Sequence, residues 1–177
     1  MNDPGSSKIM SLLWLPRMTR LILAICAALF AAQAFSAGSG EYAPQVWINP
    51  GLYSHHFDSS KNFRANNIGA GVEVLIAKNH GLMAGTFINS DRARSQYIAY
   101  QWRPLHWQPV ESLGVSAGIV VGAFDGYPRM RDGGWFVAPL PLLAIEGKRL
   151  GANITVIPSY GDRIHGAVAI QVKLRVW

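Results

Sequence analysis

The stretch "VAIQVKLRV", residues 168–176, sets Val168, Ile170, Val172, Leu174 and Val176 on one parity and Gln171, Lys173 and Arg175 on the other. Alternation with period two marks a strand whose two faces meet different surroundings. If the aliphatic face meets lipid, Lys173 and Arg175 must point into a lumen or sit at its rim. A cation at mid-bilayer on the outer face of a barrel costs about 2–4 kcal/mol. If that face instead closes a soluble sandwich or barrel, the charges meet water. The rest of the chain decides between the two.

From Gln45 onward the same period recurs, broken by turn residues, and no amphipathic helix is visible. Strands are expected at 45–57, 67–77, 81–90, 94–104, 112–124, 136–146, 150–158 and 165–176. Eight antiparallel strands of about ten residues behind an export signal are the pattern of a small outer-membrane barrel. In "GVEVLI" Val72, Val74 and Ile76 face out and Glu73 faces in. In "LGVSAGIVVG" Leu113, Val115, Ala117, Ile119 and Val121 face out, leaving Gly114, Ser116, Gly118, Val120 and Gly122 inside. Aliphatic outer stripes favour the membrane barrel over the soluble one. Trp47, Trp102, Trp107 and Trp135 fall towards strand ends, where an interfacial girdle belongs. The inward glycines either leave space for an acyl chain or ease packing and strand curvature. Both readings stand at this stage.

The first 36 residues read as a secretory signal peptide, with 37–177 as the barrel. Arg17 and Arg20 precede the apolar run Leu21–Ala32 and a small-residue site, with cleavage after Ala34 or Ser36 and a start at Met1, Met10 or Met18. The run is shorter than the roughly 20 residues a membrane helix needs. Cys26, the one cysteine, lies inside it, so the mature chain makes no disulfide. The net charge is +6, of which Lys8, Arg17, Arg20 and Asp3 supply +2, leaving +4 after cleavage. That balance suits an anionic membrane surface. An exported chain with no basic arm is not a nucleic-acid binder. No motif holds a metal or a cofactor, since His55 and His56 project to opposite faces of a strand.

With both termini periplasmic, the loops containing "DSSKNFRAN", "NSDRAR", "DGYPRMRDGGW" and "SYGDRIHG" face outside. Ser90 in "FINS" and the pair His55-His56 then share the external rim. A hydroxyl and an imidazole there suit a nucleophile and its general base, while Ser and Asn also serve as ordinary turn residues.

The order of short motifs along the mature chain resembles the outer-membrane lipid A palmitoyltransferases. It runs from Phe57-Asp58 through "IGAGVE", "FINS", "WRPL" at 102–105, a glycine-rich fifth strand and "PLPLL" to "VIP". The resemblance implies an eight-stranded barrel that moves a palmitoyl chain from a phospholipid to lipid A. It implies His, Asp and Ser at the external rim and an acyl pocket in the lumen. Ser90 matches the family serine and Asn89 replaces the aspartate beside it. The family histidine falls near Leu52, so His56 would serve only by a shift of four positions. The family's chain-length glycine falls at Gln101, which joins Gly114, Gly118 and Gly122 as candidate pocket residues. Pro139, Pro141 and Pro158 correspond to a lateral gate for lipid. The second gate keeps at most Pro44 or Pro50, and the family's N-terminal helix has almost no room. The expectation is a monomeric, lipid-binding outer-membrane barrel, with acyl transfer and a purely structural role as alternatives.

Overall fold

A computed structural model describes residues 42–177. The signal peptide expected at 1–36 lies outside the described residues. Eight strands form one closed antiparallel barrel in chain order: β1 Gln45–His56, β2 Asn66–Ala77, β3 His80–Ile88, β4 Arg94–Val110, β5 Leu113–Phe124, β6 Phe136–Glu146, β7 Leu150–Ile157 and β8 Ala167–Arg175. Pairing of β1 with β8 closes the ring. Connections at one end are short, at 78–79, 111–112 and 147–149, and those at the other end are long. This is the asymmetry of outer-membrane barrels.

The parity of β8 holds. Ala169, Gln171 and Lys173 are buried while Ile170, Val172 and Leu174 are exposed. Glu73 also faces the lumen, with Val72 and Val74 on the opposite face of β2 beside Val46. Trp47 departs from expectation. It is fully buried rather than part of a girdle, with Lys173 and Arg175 over its ring at 4.8 and 5.6 Å. It shares the inward parity of Asn49, and the apolar Val46 and Ile48 take the outer face.

A second departure is the length of β4. The expected turn after Pro104 is strand as far as Val110, because β4 keeps pairing with β5 through Leu105↔Ala117, His106↔Ser116, Trp107↔Val115 and Val110↔Leu113. Pro104 and Pro109 fall at the two register shifts, where a residue without an N–H loses no ladder bond.

One irregularity in β1 determines which side chains reach the mouth. Pairing with β2 shifts between Asn49 and Gly51, and Gly51 has φ 110°. A Cβ there would strike the Asn67 carbonyl. Before this point the odd residues Trp47 and Asn49 are buried inside. After it the even residues Ser54 and His56 turn inward, and Tyr53 and His55 are exposed.

Candidate functional site

The lumen divides into a closed half and a hollow half. Towards the short turns, Lys173 Nζ lies 2.7 Å from Glu73 Oε1 and 2.6 Å from Glu146 Oε1, and Arg103 reaches Glu146 at 2.8 Å. Two cations face two carboxylates, so the cluster is electrically balanced. Towards the long loops, a cavity of about 970 Å³ is lined by His56, Ser90, Met130, Phe136, Leu140 and Ile157 among others. A smaller one of about 100 Å³ lies against Leu52, Met83, Tyr97, Val120 and Leu142, and Ser90 borders both.

The large cavity follows a break in the wall. β6 pairs with β7 only from Leu142↔Thr155 to Glu146↔Gly151. Phe136–Pro141 therefore have no β7 partner, and Val156 and Ile157 pair only with β8. Pro139 and Pro141 cannot donate to a ladder, and Pro158 follows β7 directly. All of Phe136–Leu140, together with Ile157 and Pro158, line the cavity. At the lower end Thr155 Oγ1 donates to the Pro141 carbonyl at 2.6 Å.

His56 and Ser90 border the same cavity, yet among the described residues no hydrogen bond joins them. His56 stacks on Phe63 with centroids 4.5 Å apart, and Phe63 leans on His165 at 4.8 Å. Ser90 Oγ instead meets Ser54 Oγ at 3.3 Å, and Ser54 accepts from Asn67 Nδ2 at 2.7 Å. Because that amide donates, the Ser54 proton is available to Ser90. Ser54 and Asn67 carry no recognisable sequence signal, and only the turn of β1 at Gly51 brings Ser54 beneath Ser90.

Asn89 is wholly buried and fully bonded. Its Oδ1 accepts from the Asp91 and Ala93 amides, both at 3.0 Å, and its Nδ2 donates to Ser95 Oγ at 2.9 Å and the Gly126 carbonyl at 2.8 Å. The side chain knots the β3–β4 turn to the β5–β6 loop. Asp91 pairs with Arg129 at 2.7 Å, and Arg129 and Lys61 both donate to His165 Nε2, at 2.9 and 3.2 Å. In the loops, the Ser60 hydroxyl and amide hold the Asp58 carboxyl below its usual range. Burial, with the Asp91 charge adding to it, pushes the Tyr127 phenol up.

The four candidate pocket residues lie elsewhere. Gln101 is fully buried, and a Cβ on Gly81 would meet its amide. A Cβ on Gly118 would strike the Trp102 carbonyl, and one on Gly122 would strike the Phe124 ring. A Cβ on Gly114 would sit in ordinary contact with the Glu146 carbonyl at 3.7 Å. None of the four lines either cavity. No cluster of three or more His, Cys, Asp or Glu able to hold a metal occurs among the described residues.

The fold and this site define a closed eight-stranded barrel of the outer-membrane architecture, with an apolar cavity open at one mouth and along one seam. No family model matches the chain. The lipid A acyltransferase PagP of Laribacter hongkongensis (strain HLHK9) is 28% identical over 120 residues, covering 67% of this chain and 48% of that protein. The chain thus spans about half the length of the curated relative it matches. In sequence the chain is similar to that acyltransferase, and its fold is a closed eight-stranded antiparallel barrel.

Proposed function

We propose that the chain is a monomeric outer-membrane barrel that takes an acyl chain of a membrane lipid through the β6–β7 seam into its lumen. The observation that carries this reading is the coincidence of the unpaired seam with the large cavity. A gap in a ladder is costly in hydrocarbon, where nothing else satisfies the backbone, and here it opens onto an apolar volume. Exposed Ile98, Ile119, Val137, Val172 and Leu174 on the outer wall supply the lipid-facing surface.

Restoring a backbone donor in the seam tests the reading. Pro141→Val should lower the phospholipid that co-purifies with the barrel, counted by native mass spectrometry, by roughly the tenfold that one strong buried hydrogen bond represents. Unchanged lipid content with the seam mended would defeat it.

A second reading, acyl transfer to lipid A, is favoured by His56 and Ser90 bordering one cavity. For transfer, an acceptor hydroxyl attacks the donor ester carbonyl while a base takes its proton, and the tetrahedral intermediate collapses by breaking the donor ester C–O bond, the proton passing to the departing lysophospholipid oxygen. The reading needs His56 and Ser90 to come within hydrogen-bond reach across the cavity they share. A mass increase of lipid A by one acyl group in cells making the protein, absent with Ser90→Ala, would establish this reading. Identical lipid A with and without the protein would leave binding alone.

A further inference from the structure

The small inner cavity carries two buried acceptors without partners. Asn67 and Asn153 are 1% and 4% exposed, both border the cavity, and the Oδ1 of each is unpartnered among the described residues. Their orientations are fixed by the opposite atom of each amide. Asn67 Nδ2 donates to Ser54 Oγ at 2.7 Å and to the Ala65 carbonyl at 3.2 Å. Asn153 Nδ2 donates to Glu73 Oε2 at 2.6 Å and to Gln171 Oε1 at 3.4 Å. The Ala65 carbonyl and the Glu73 carboxylate only accept, so turning either amide over would set acceptor against acceptor. The unmet atoms are therefore oxygens, and what they need is a donor.

A saturated acyl chain supplies none. It would fill the apolar volume between Leu52, Met83, Val120 and Leu142 and leave both oxygens desolvated, which is unfavourable. Its ester or carboxylate end only accepts. A hydroxyl on the chain provides the missing O–H. Its place along the chain follows from the connection of Asn67 through Ser54 to Ser90, which borders both cavities. The polar end of a bound lipid belongs at that mouth, so the hydroxyl lies a few carbons in.

We propose that the lumen selects an acyl chain hydroxylated close to its carboxyl end, with the hydroxyl donating to Asn67 Oδ1. This rests on the acyl-binding reading above. A cavity of about 100 Å³ also has room for a few water molecules, which would satisfy the same oxygens under any chain and give no selectivity.

The test uses the barrel refolded in an amine-oxide detergent and titrated calorimetrically with laurate and with 3-hydroxylaurate. The hydroxylated acid should bind roughly tenfold more tightly, the worth of one satisfied buried acceptor. In Asn67→Val that preference should vanish, with laurate binding more tightly than to the wild-type chain because no oxygen is left desolvated beside it. Equal affinities in the wild-type chain would overturn the selectivity and leave acyl binding intact. No binding of either acid would overturn both. A preference that survives in Asn67→Val would overturn the assignment to Asn67. The first comparison needs no variant, so it decides the matter even if Asn67→Val fails to fold.

Discussion

The two halves of the lumen are built by the same strands with the same alternation, yet one is filled and the other hollow. In the closed half the inward positions carry Trp47, Glu73, Arg103, Glu146 and Lys173, long side chains whose charges cancel. In the hollow half Leu52, Met83, Ala99, Val120 and Leu140 stand beside the rings of Phe87, Tyr97 and Phe124, and cavities of about 100 and 970 Å³ remain. An eight-stranded barrel is just wide enough for side chains to fill, so side-chain reach decides whether space remains. The wall differs as well. The filled half is fully laddered between β6 and β7, whereas the hollow half lacks that pairing.

The largest expected effect breaks the filled half. Lys173→Met leaves Glu73, 1% exposed, with only the Asn153 amide. Removing one partner of a buried pair costs about 3–5 kcal/mol, to be read from urea unfolding in detergent by the heat-modifiable gel shift. Lys173→Met with Glu73→Gln keeps the Arg103–Glu146 pair and should recover most of the loss. If the double variant is as unstable as the single one, charge balance is not what holds that half.

A smaller effect is expected at the mouth. Asn89→Asp supplies the carboxylate that the resemblance implies but loses the donors to Ser95 Oγ and the Gly126 carbonyl. The variant should be less stable by about 1–3 kcal/mol, the cost of an unpaired buried group, and should gain no acyl transfer. A gain in lipid A acylation would mean that the knot can rearrange into a catalytic rim.

The smallest effect tests the seam that closes the ring. Trp177 is 72% exposed, yet its carbonyl accepts from the Val46 amide at 3.0 Å. Deleting Trp177 removes that bond and should cost about 0.5–1.5 kcal/mol. An unchanged urea midpoint would show that β1 and β8 close without it.

Much of this was legible in the sequence because the outer wall and the lumen impose opposite demands on alternate residues. "VAIQVKLRV" therefore reads correctly from its own letters. Pro139, Pro141 and Pro158 also mark the broken ladder by their missing donors. The fill of the lumen was not legible. Gly118 and Gly122 look like space, but the Trp102 carbonyl and the Phe124 ring claim it, and both claims depend on neighbouring strands. The Phe63 stack on His56 depends on the course of the 57–65 loop, which no periodicity records. Trp47 was misread because its position near a strand end was weighed above its parity.

The kink at Pro50-Gly51 has an evolutionary consequence. Strict alternation from Trp47 and Asn49 would bring His55, not His56, to the mouth. Because the two histidines are adjacent, a one-residue insertion or deletion that slips the end of β1 exchanges one imidazole for the other. The mouth therefore keeps an imidazole through a one-residue slip at the end of β1. With or without this kink, β1 would present an imidazole to the cavity that Ser90 also borders.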